Sequence, residues 1–490
     1  MKSIPGNQAH RASVNSAFAG ALGLFVALLL LKFGNPVILD YKLTPPSDLI
    51  ELISWSWPVN WAYPWLVILI GWGAILRLRM GFAKTSPGTE RHPAPPIRWL
   101  AWLPLLWLFW QALSAIWTVR WELTYPTLKH FIAVTACFYL GWFVVSRLDD
   151  LRPFWLGVLG GFVGVVAIGL EQHFGGLEAT RRWIYSQPDW QNQSPALLQK
   201  LASNRIYSTL FYPNTLAGVI LLLLPALLGV TLHVTTRPHL SREAHPGKAG
   251  SPDQPGDAHP QLALEPVNGR VARVLWASLG AIAALGGLFC LYWSGSKAGW
   301  LIAMVLFLIG LHHIPSPTKL RWVAIMCLIL IGSGLFFARF HGYFAKGATS
   351  VGARFDYWNV AVQIASQRPW FGSGPGTFSV LYRYLKPPEA EMARLVHNDY
   401  LEQAADSGIP AALLYTTFWI GGLYRICPFR RFTHSGWMER GVWFGLLGMA
   451  LQSLVEFGLY VPAMAWPGFL LLGTILGHQA NRMDTPSHTR

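Results

Sequence analysis

Four side chains that could do chemistry stand out in a sequence that is poor in charge. Arg205, Lys297 and Arg354 carry cationic groups that suit phosphate oxygens, and the planar fork of arginine binds such oxygens in pairs. His397 carries an imidazole, which can be neutral near pH 7 and accept a proton. Each also has a structural interpretation, because cationic side chains anchor chains at lipid headgroups and a histidine can cap a helix. The residue types alone leave both interpretations open.

Two further polar residues lie beside or inside apolar stretches. Asn214 follows Pro213 where an apolar stretch starts, so it could cap a helix or help to bind an anion there. Glu456 is the one acid deep in an apolar stretch, and acids at such positions usually have a partner or mark a pathway. We expect Glu456 either to be neutral or to pair with an arginine from a loop.

The composition is that of a membrane protein. Of the 490 residues, 53% are hydrophobic and only 12% are charged, whereas an ordinary soluble domain is about one quarter charged. A water-soluble enzyme and a disordered chain are therefore excluded. The four cysteines form no C-x-x-C pair, so neither a disulfide framework nor a metal site is indicated.

Apolar runs of membrane-spanning length recur along the whole chain, and they predict one all-α membrane domain over residues 1–490. A spanning helix needs about 20 mostly apolar residues. We predict about twelve spans, at residues 16–33, 61–77, 99–117, 129–146, 153–171, 209–234, 271–293, 298–314, 322–340, 409–425, 441–459 and 462–478. With both termini in the cytoplasm, the short outer connections are nearly free of Lys and Arg, as the positive-inside rule requires.

Three long loops interrupt this pattern. Residues 172–208 and 341–408 face outward in the predicted topology and concentrate positive charge, while the Pro- and Gly-rich residues 235–270 read as a flexible cytoplasmic linker. The second outer loop is expected to contain short helices, one of them amphipathic and lying at the membrane surface. The apolar residues that indicate this amphipathic helix are Phe355, Trp358, Val362 and Ile364.

An ordered set of motifs runs through residues 200–480. Arg354 precedes a P-x-x-G-x-G-x-x-x-F turn at Pro369–Phe378, which precedes H-N-x-x-L at His397–Leu401. Upstream, Arg205 precedes P-N-x-x-A at Pro213–Ala217, and Ser294–Trp300 reads S-x-S-K-x-G-W. Each motif is weak alone, but the ordered set resembles the O-antigen ligase and polymerase superfamily.

The resemblance implies a glycosyltransferase of GT-C-like architecture in the bacterial inner membrane, multi-pass, with its active site on the periplasmic face. The implied donor is a glycan on undecaprenyl pyrophosphate, and the acceptor is lipid A-core in a ligase of lipopolysaccharide biosynthesis, a growing glycan in a polymerase, or a protein hydroxyl in an oligosaccharyltransferase. The partners are thus two substrates and the lipid bilayer, with no nucleic acid.

The resemblance also gives the polar residues their roles. Arg205 and Arg354 are expected to bind the pyrophosphate and stabilise its developing charge, with His397 as the base that takes the acceptor proton. The candidate substrate-binding residues are Lys297, Asn214, Asn398 and Tyr400. We expect no metal and no cofactor, since the outer loops lack a D-x-D or comparable acidic pair.

Other functions remain open on the sequence. The chain lacks the C-terminal soluble repeat domain of some relatives that act on proteins, which favours a ligase slightly. A twelve-span secondary transporter fits the composition, but no corresponding Gly or Pro breaks mark two related halves. A scaffold would not need arginines near a histidine.

We expect direct displacement with inversion of configuration, because no carboxylate nucleophile is evident near the site. The premise is that Arg205, Arg354 and His397 converge in one pocket.

Overall fold

The chain folds into helices throughout the part that a computed structural model describes. That part comprises residues 5–81, 98–186, 202–236, 269–314, 317–345, 349–429 and 436–483, with the isolated residues 190 and 198, and it contains no strand. Most of the predicted linker at 235–270, and part of the first predicted outer loop, lie outside the described residues.

Sixteen α-helices follow one another along these ranges. They are α1 Pro5–Lys32, α2 Leu49–Ser54, α3 Ala62–Gly81, α4 Leu103–Ser114, α5 Trp121–Phe143, α6 Arg152–Glu171, α7 Leu177–Tyr185, α8 Pro213–Thr235, α9 Arg270–Ser294, α10 Lys297–His312, α11 Thr318–Ala345, α12 Thr349–Gln367, α13 Phe378–Leu385, α14 Asp399–Arg425, α15 Trp437–Gln452 and α16 Pro462–Met483.

The all-helical membrane prediction is confirmed. Each of the twelve predicted spans coincides with a helix, and eight of the described helical stretches are long and apolar enough to cross a membrane. The total of twelve crossings stays a prediction. One predicted boundary is wrong: the span at 441–459 is helical only to Gln452, where α15 ends, and Glu456 lies in a connection before α16. The short 3₁₀ helix Gly458–Tyr460 completes that connection.

Close contacts hold α8 against α15, the helix that ends just before the connection with Glu456. A Cβ atom added at Gly229 would lie 2.4 Å from the carbonyl oxygen of Trp437, and one added at Gly445 would lie 2.0 Å from that of Leu222. Small residues let helix backbones approach in membranes, where packing replaces the hydrophobic effect as the driving force. The N-terminal end of α8 is thereby held beside the C-terminal end of α15.

The segment at 341–408 forms a small core of its own. Tyr357 and Ile364 of α12 pack with Phe378 and Tyr382 of α13 and with Ala405 of α14. The four apolar residues that predicted α12 do not share one face, since Ile364 is buried while Phe355 and Val362 are exposed. Helix α12 therefore rests on protein through its buried face, and its placement at a membrane surface stays a prediction.

A buried carboxylate closes the glycine-rich turn between α12 and α13. Asp406 accepts hydrogen bonds from the backbone N–H groups of Gly376 at 2.7 Å and Phe378 at 2.8 Å, and from the hydroxyl of Tyr460 at 3.0 Å. Gly376 has a φ of +76°, a conformation that favours glycine. The turn is thus a structural element that holds α13 against α14, just ahead of the kink at Gly408 in α14.

Candidate active site

One buried carboxylate, that of Glu456, joins three side chains from distant parts of the chain. Its Oε1 accepts hydrogen bonds from Nη2 of Arg354 and from Nδ2 of Asn214, each at 2.5 Å. Its Oε2 lies 3.1 Å from Nδ1 of His397. The Glu456 side chain is only 5% exposed, so the three partners replace the water that the carboxylate loses on burial.

Arg354 reaches this carboxylate from α12, one turn from its start. Its Nε donates to the carbonyl of Val455 at 3.1 Å and its Nη1 to the carbonyl of Ser350 at 3.0 Å. The Arg354 side chain is 17% exposed, and two of its five N–H groups have no partner among the described residues. The backbone and the side chain of the same connection hold this arginine, which fixes its orientation.

Arg205 reaches the cluster through Asn214. Its Nη2 donates to Oδ1 of Asn214 at 2.7 Å, and its Nε donates to the carbonyl of Ser294 at 2.7 Å. Gly295, with a φ of +59°, ends α9 beside it, and a Cβ atom there would lie 3.3 Å from Cγ of Arg205. A glycine at this position thus leaves room for the arginine side chain.

Asn214 does not cap helix α8, so the capping interpretation is wrong. The helix begins at Pro213, with Tyr212 as its N-cap residue and no capping side chain. The Asn214 amide instead accepts from Arg205 and donates to Glu456. Asn214 thus hydrogen-bonds a cation and an anion at the same time, which explains a polar side chain at the start of an apolar helix.

His397 adopts a conformation that is rare for a residue with a side chain. Its φ is +56°, and left-handed backbone at a non-glycine residue costs on the order of 1–3 kcal/mol. The ring lies 4.8 Å from that of Phe457 and 5.8 Å from that of Tyr357, between centroids. The side chain is 28% exposed, and within the described chain only Nδ1 of the ring has a hydrogen-bond partner.

Two predicted substrate-binding residues have structural partners instead. Asn398 caps α14, because its Oδ1 accepts from the N–H of Leu401 at 3.0 Å. The hydroxyl of Tyr400 donates to the carbonyl of Ala450 at 3.0 Å. These bonds hold the helix that follows His397, and a substrate contact by either side chain stays a prediction.

Lys297 lies near the arginines without touching the carboxylate. It is the first residue of α10, and its Nζ lies 3.8 Å from the ring centroid of Tyr343. Burial lowers the pKa of Lys297, the nearby charges of Arg205, Arg354 and Arg339 lower it further, and the pKa falls to about 8. Lys297 therefore adds a positive charge to the cluster below that pH.

Glu456 is the functional candidate that the sequence placed wrongly, inside a span. Burial raises its pKa, but the charge and hydrogen bond of His397, and then those of Arg354, outweigh this effect, so the pKa lies below its ordinary value. A carboxylate thus lies at the site, and the expectation that no nucleophilic carboxylate lies there stays a prediction. Two features of the sequence pointed to this ion pair: a lone acid in an apolar stretch needs a partner, and the outer loops are rich in arginine.

The backbone around Glu456 is fixed by Asp399, a buried acid at the start of α14. The N–H of Asp399 donates to the carbonyl of Ser453 at 2.8 Å, and its carboxylate accepts from the N–H of Leu459 at 3.0 Å. Asp399 lies in the first turn of α14 and ties the start of that helix to both sides of the connection that carries Glu456.

Comparison with known proteins gives one match. Residues 282–416 match the family model described as O-antigen ligase. Through this segment the chain is similar to the O-antigen ligase family. The matched residues include Lys297, Arg354 and His397, whereas Arg205, Asn214 and Glu456 lie outside them and join the cluster through the fold. The family match of this segment and the apolar helices support an integral membrane protein related to glycosyltransferase-like enzymes. No curated protein matches the chain.

Proposed function

We propose that the protein is an O-antigen ligase that transfers a glycan from undecaprenyl pyrophosphate to a hydroxyl group of lipid A-core. The transfer takes place on the periplasmic face of the bacterial inner membrane, within a GT-C-like architecture. The observation that carries this proposal is a chain of hydrogen bonds from Arg205 through Asn214 to Glu456. The carboxylate of Glu456 also bonds to Arg354 and His397. Two phosphate-binding groups and one base thus belong to a single hydrogen-bonded cluster.

The arginines suit the pyrophosphate of the donor. A guanidinium has five N–H donors, and among the described residues Arg205 uses two of its own and Arg354 uses three. The remaining donors are available to phosphate oxygens. Fixed guanidinium groups stabilise the charge that develops on the leaving pyrophosphate, and they do so most strongly where water is scarce.

His397 suits the acceptor. With Nδ1 directed at the carboxylate of Glu456, the ring presents Nε2 to the partly exposed side of the cluster. The acceptor oxygen attacks the anomeric carbon while the bond from that carbon to the pyrophosphate oxygen breaks. The hydroxyl proton passes to Nε2, and undecaprenyl pyrophosphate leaves with the electron pair. This single displacement inverts the anomeric configuration.

Glu456 does not suit the alternative of a double displacement. A nucleophilic carboxylate needs a free oxygen lone pair directed at the sugar, whereas Glu456 is buried and accepts from three side chains. Product analysis by NMR tests this step. We expect inversion, and retention of configuration would exclude the single displacement.

Reconstitution tests the function as a whole. The full chain in vesicles receives a purified undecaprenyl-pyrophosphate-linked oligosaccharide and, in parallel reactions, lipid A-core, a second lipid-linked glycan or an acceptor peptide. We expect glycan transfer to lipid A-core. Transfer only to the second glycan, or only to the peptide, would reassign the protein as a polymerase or a protein oligosaccharyltransferase, while no transfer in any reaction would exclude the proposal.

The charges of the cluster also predict that no metal is needed. Arg205, Arg354 and Lys297 supply positive charge around a single carboxylate, so a dianionic donor is neutralised without a divalent cation. The same reaction in excess EDTA is expected to proceed at an unchanged rate. Loss of transfer that added Mg²⁺ or Mn²⁺ restores would contradict this expectation.

A further inference from the structure

Glu456 holds a position that neither substrate binding nor proton transfer alone explains. One oxygen of its carboxylate bonds the arginine assigned to the donor, and the other bonds the histidine assigned to the acceptor. A cation bound to a carboxylate reduces the negative charge that any second partner of the carboxylate feels. The state of Arg354 must therefore influence how strongly His397 holds a proton.

The donor changes the state of Arg354. A pyrophosphate bound to the remaining N–H groups of this guanidinium competes with Glu456 for it, because both are anions and the guanidinium carries one charge. Once phosphate oxygens neutralise that charge, Glu456 has only one ionisable partner among the three side chains that bond to it, and this partner is His397. An uncompensated buried carboxylate favours the protonated form of a nearby imidazole.

Asn214 makes this exchange feasible for the carboxylate. Its Nδ2 donates to the same Oε1 that accepts from Arg354. When the guanidinium turns toward phosphate, this oxygen keeps one hydrogen bond and is not left unpaired in a buried place. The other end of the Asn214 amide stays bonded to Arg205, which itself faces the donor.

We propose that Glu456 is a positioning residue that couples donor binding to proton acceptance: the pyrophosphate draws Arg354 away from Glu456, and the freed carboxylate then strengthens His397 as a base. The acceptor hydroxyl is thus deprotonated efficiently only when the glycan that it must attack is in place. This inference rests on the proposed function, and it adds an order of events to the site.

Other ionisable groups surround the carboxylate and do not replace this coupling. Arg205 and Asp399 interact with Glu456 through their charges, Lys297 is repelled by Arg205 and Arg354, and the Tyr357 ring stacks on His397. Only Arg354 and His397 pair directly with the carboxylate as ionisable groups in the described part of the chain. The surrounding groups set a constant background, whereas Arg354 has two alternative partners.

Two pH–rate profiles of the unmodified protein test the coupling. The profile of kcat/KM for the donor reports on the free enzyme, and the profile of kcat reports on the enzyme with bound substrate. The pyrophosphate diester has no proton that titrates near neutral pH. We expect the acidic limb of the kcat profile to lie at higher pH than that of the kcat/KM profile. Coincident limbs would overturn the coupling and leave the proposed transfer intact.

Glu456→Gln removes the charge and keeps the shape of the side chain. We expect kcat to fall on the order of 100-fold, KM for the donor to stay the same or decrease, and the two acidic limbs to coincide. A purely structural role would change the amount of inserted protein and leave the two limbs apart. Glu456→Asp keeps the charge on a shorter side chain, so the two acidic limbs should stay separated while the rate falls. This variant tests the coupling even if Glu456→Gln fails to insert into the membrane.

Calorimetry with inorganic pyrophosphate gives a readout that does not depend on transfer. Binding to the full chain near pH 7, measured in buffers of different ionisation enthalpy, gives the number of protons taken up. We expect more protons to be taken up by the unmodified protein than by His397→Gln, and Glu456→Gln to match the latter. Equal proton numbers in all three would reject the coupling, whereas undetectable pyrophosphate binding would reject the phosphate site and thus both proposals.

Discussion

Glu456 and Asp406 are both buried carboxylates in this protein, yet their partners differ in kind. Asp406 accepts from two backbone N–H groups of the glycine-rich turn and from the hydroxyl of Tyr460, which is also buried. Glu456 accepts from an arginine, an asparagine and a histidine, two of which are partly exposed. Backbone partners cannot leave without local unfolding, whereas side-chain partners can rotate toward a ligand.

This difference separates a structural carboxylate from a functional one better than burial does. Both side chains are nearly inaccessible, so burial alone would rank them equally. Partners that can bind a substrate themselves make the Glu456 cluster responsive to ligands. Variants of the Glu456 cluster should therefore lower catalysis, and variants of the Asp406 cluster should lower stability.

The largest effect is expected at the histidine of the Glu456 cluster. His397→Ala removes the proton acceptor, so transfer should slow by about 10²–10⁴-fold, the usual contribution of a general base. Donor binding and the amount of inserted protein should stay unchanged. The matched control is His341→Ala, which alters an exposed histidine of α11. Full transfer by the His397 variant in single-turnover assays would remove the base from the proposal.

The next effect concerns binding of the donor. Arg205→Gln removes a charged, bidentate contact, and bonds to charged groups are worth about 1.5–3 kcal/mol, so we expect KM for the donor to rise by about 10–100-fold. Arg205→Lys should recover part of the loss, because it restores the charge but not the fork. Arg383→Gln, at an exposed arginine of α13, is the control. A change in kcat alone would argue against a phosphate contact.

The Asp406 cluster should respond in stability. Asp406→Asn replaces one of two accepting oxygens by an NH2 group, so a buried donor loses its acceptor, and we expect a loss of about 2 kcal/mol in the free energy of unfolding. Thermal unfolding in detergent measures this loss. The transfer rate per folded molecule should change less than about threefold. A large loss of kcat at full stability would mean that the two carboxylates do not differ in role.

The sequence was sufficient for the helices because their signal is local. A run of about 20 apolar residues indicates a spanning helix wherever it occurs, and a helix was found at every predicted position. The same signal misplaced Glu456, since Phe457, Leu459 and Val461 keep the local hydropathy high after the helix has ended at Gln452.

The candidate site could be predicted only in part, because its contacts are long-range. Asn214 was assigned a cap from its neighbours, but the partner of its amide, Glu456, lies 242 residues away in sequence. The motifs identified Arg205, Arg354 and His397 as a set. They carried no information on the carboxylate that joins these three, nor on the positive φ of His397, since both depend on how α12, α14 and α15 pack.

The smallest effect is expected at Lys297, which borders the Glu456 cluster without bonding to its carboxylate. Its lowered pKa of about 8 means that the ammonium is charged below that pH and neutral above it. KM for the donor should therefore increase as the pH rises through about 8, and Lys297→Gln should raise it about fivefold at pH 7, in line with a charge contribution of about 1 kcal/mol. The variant should also lose the alkaline increase. Lys319→Gln, at an exposed lysine of α11, is the control. If the alkaline increase persists in Lys297→Gln, another group is responsible for it, and the Glu456 cluster binds its donor through the two arginines alone.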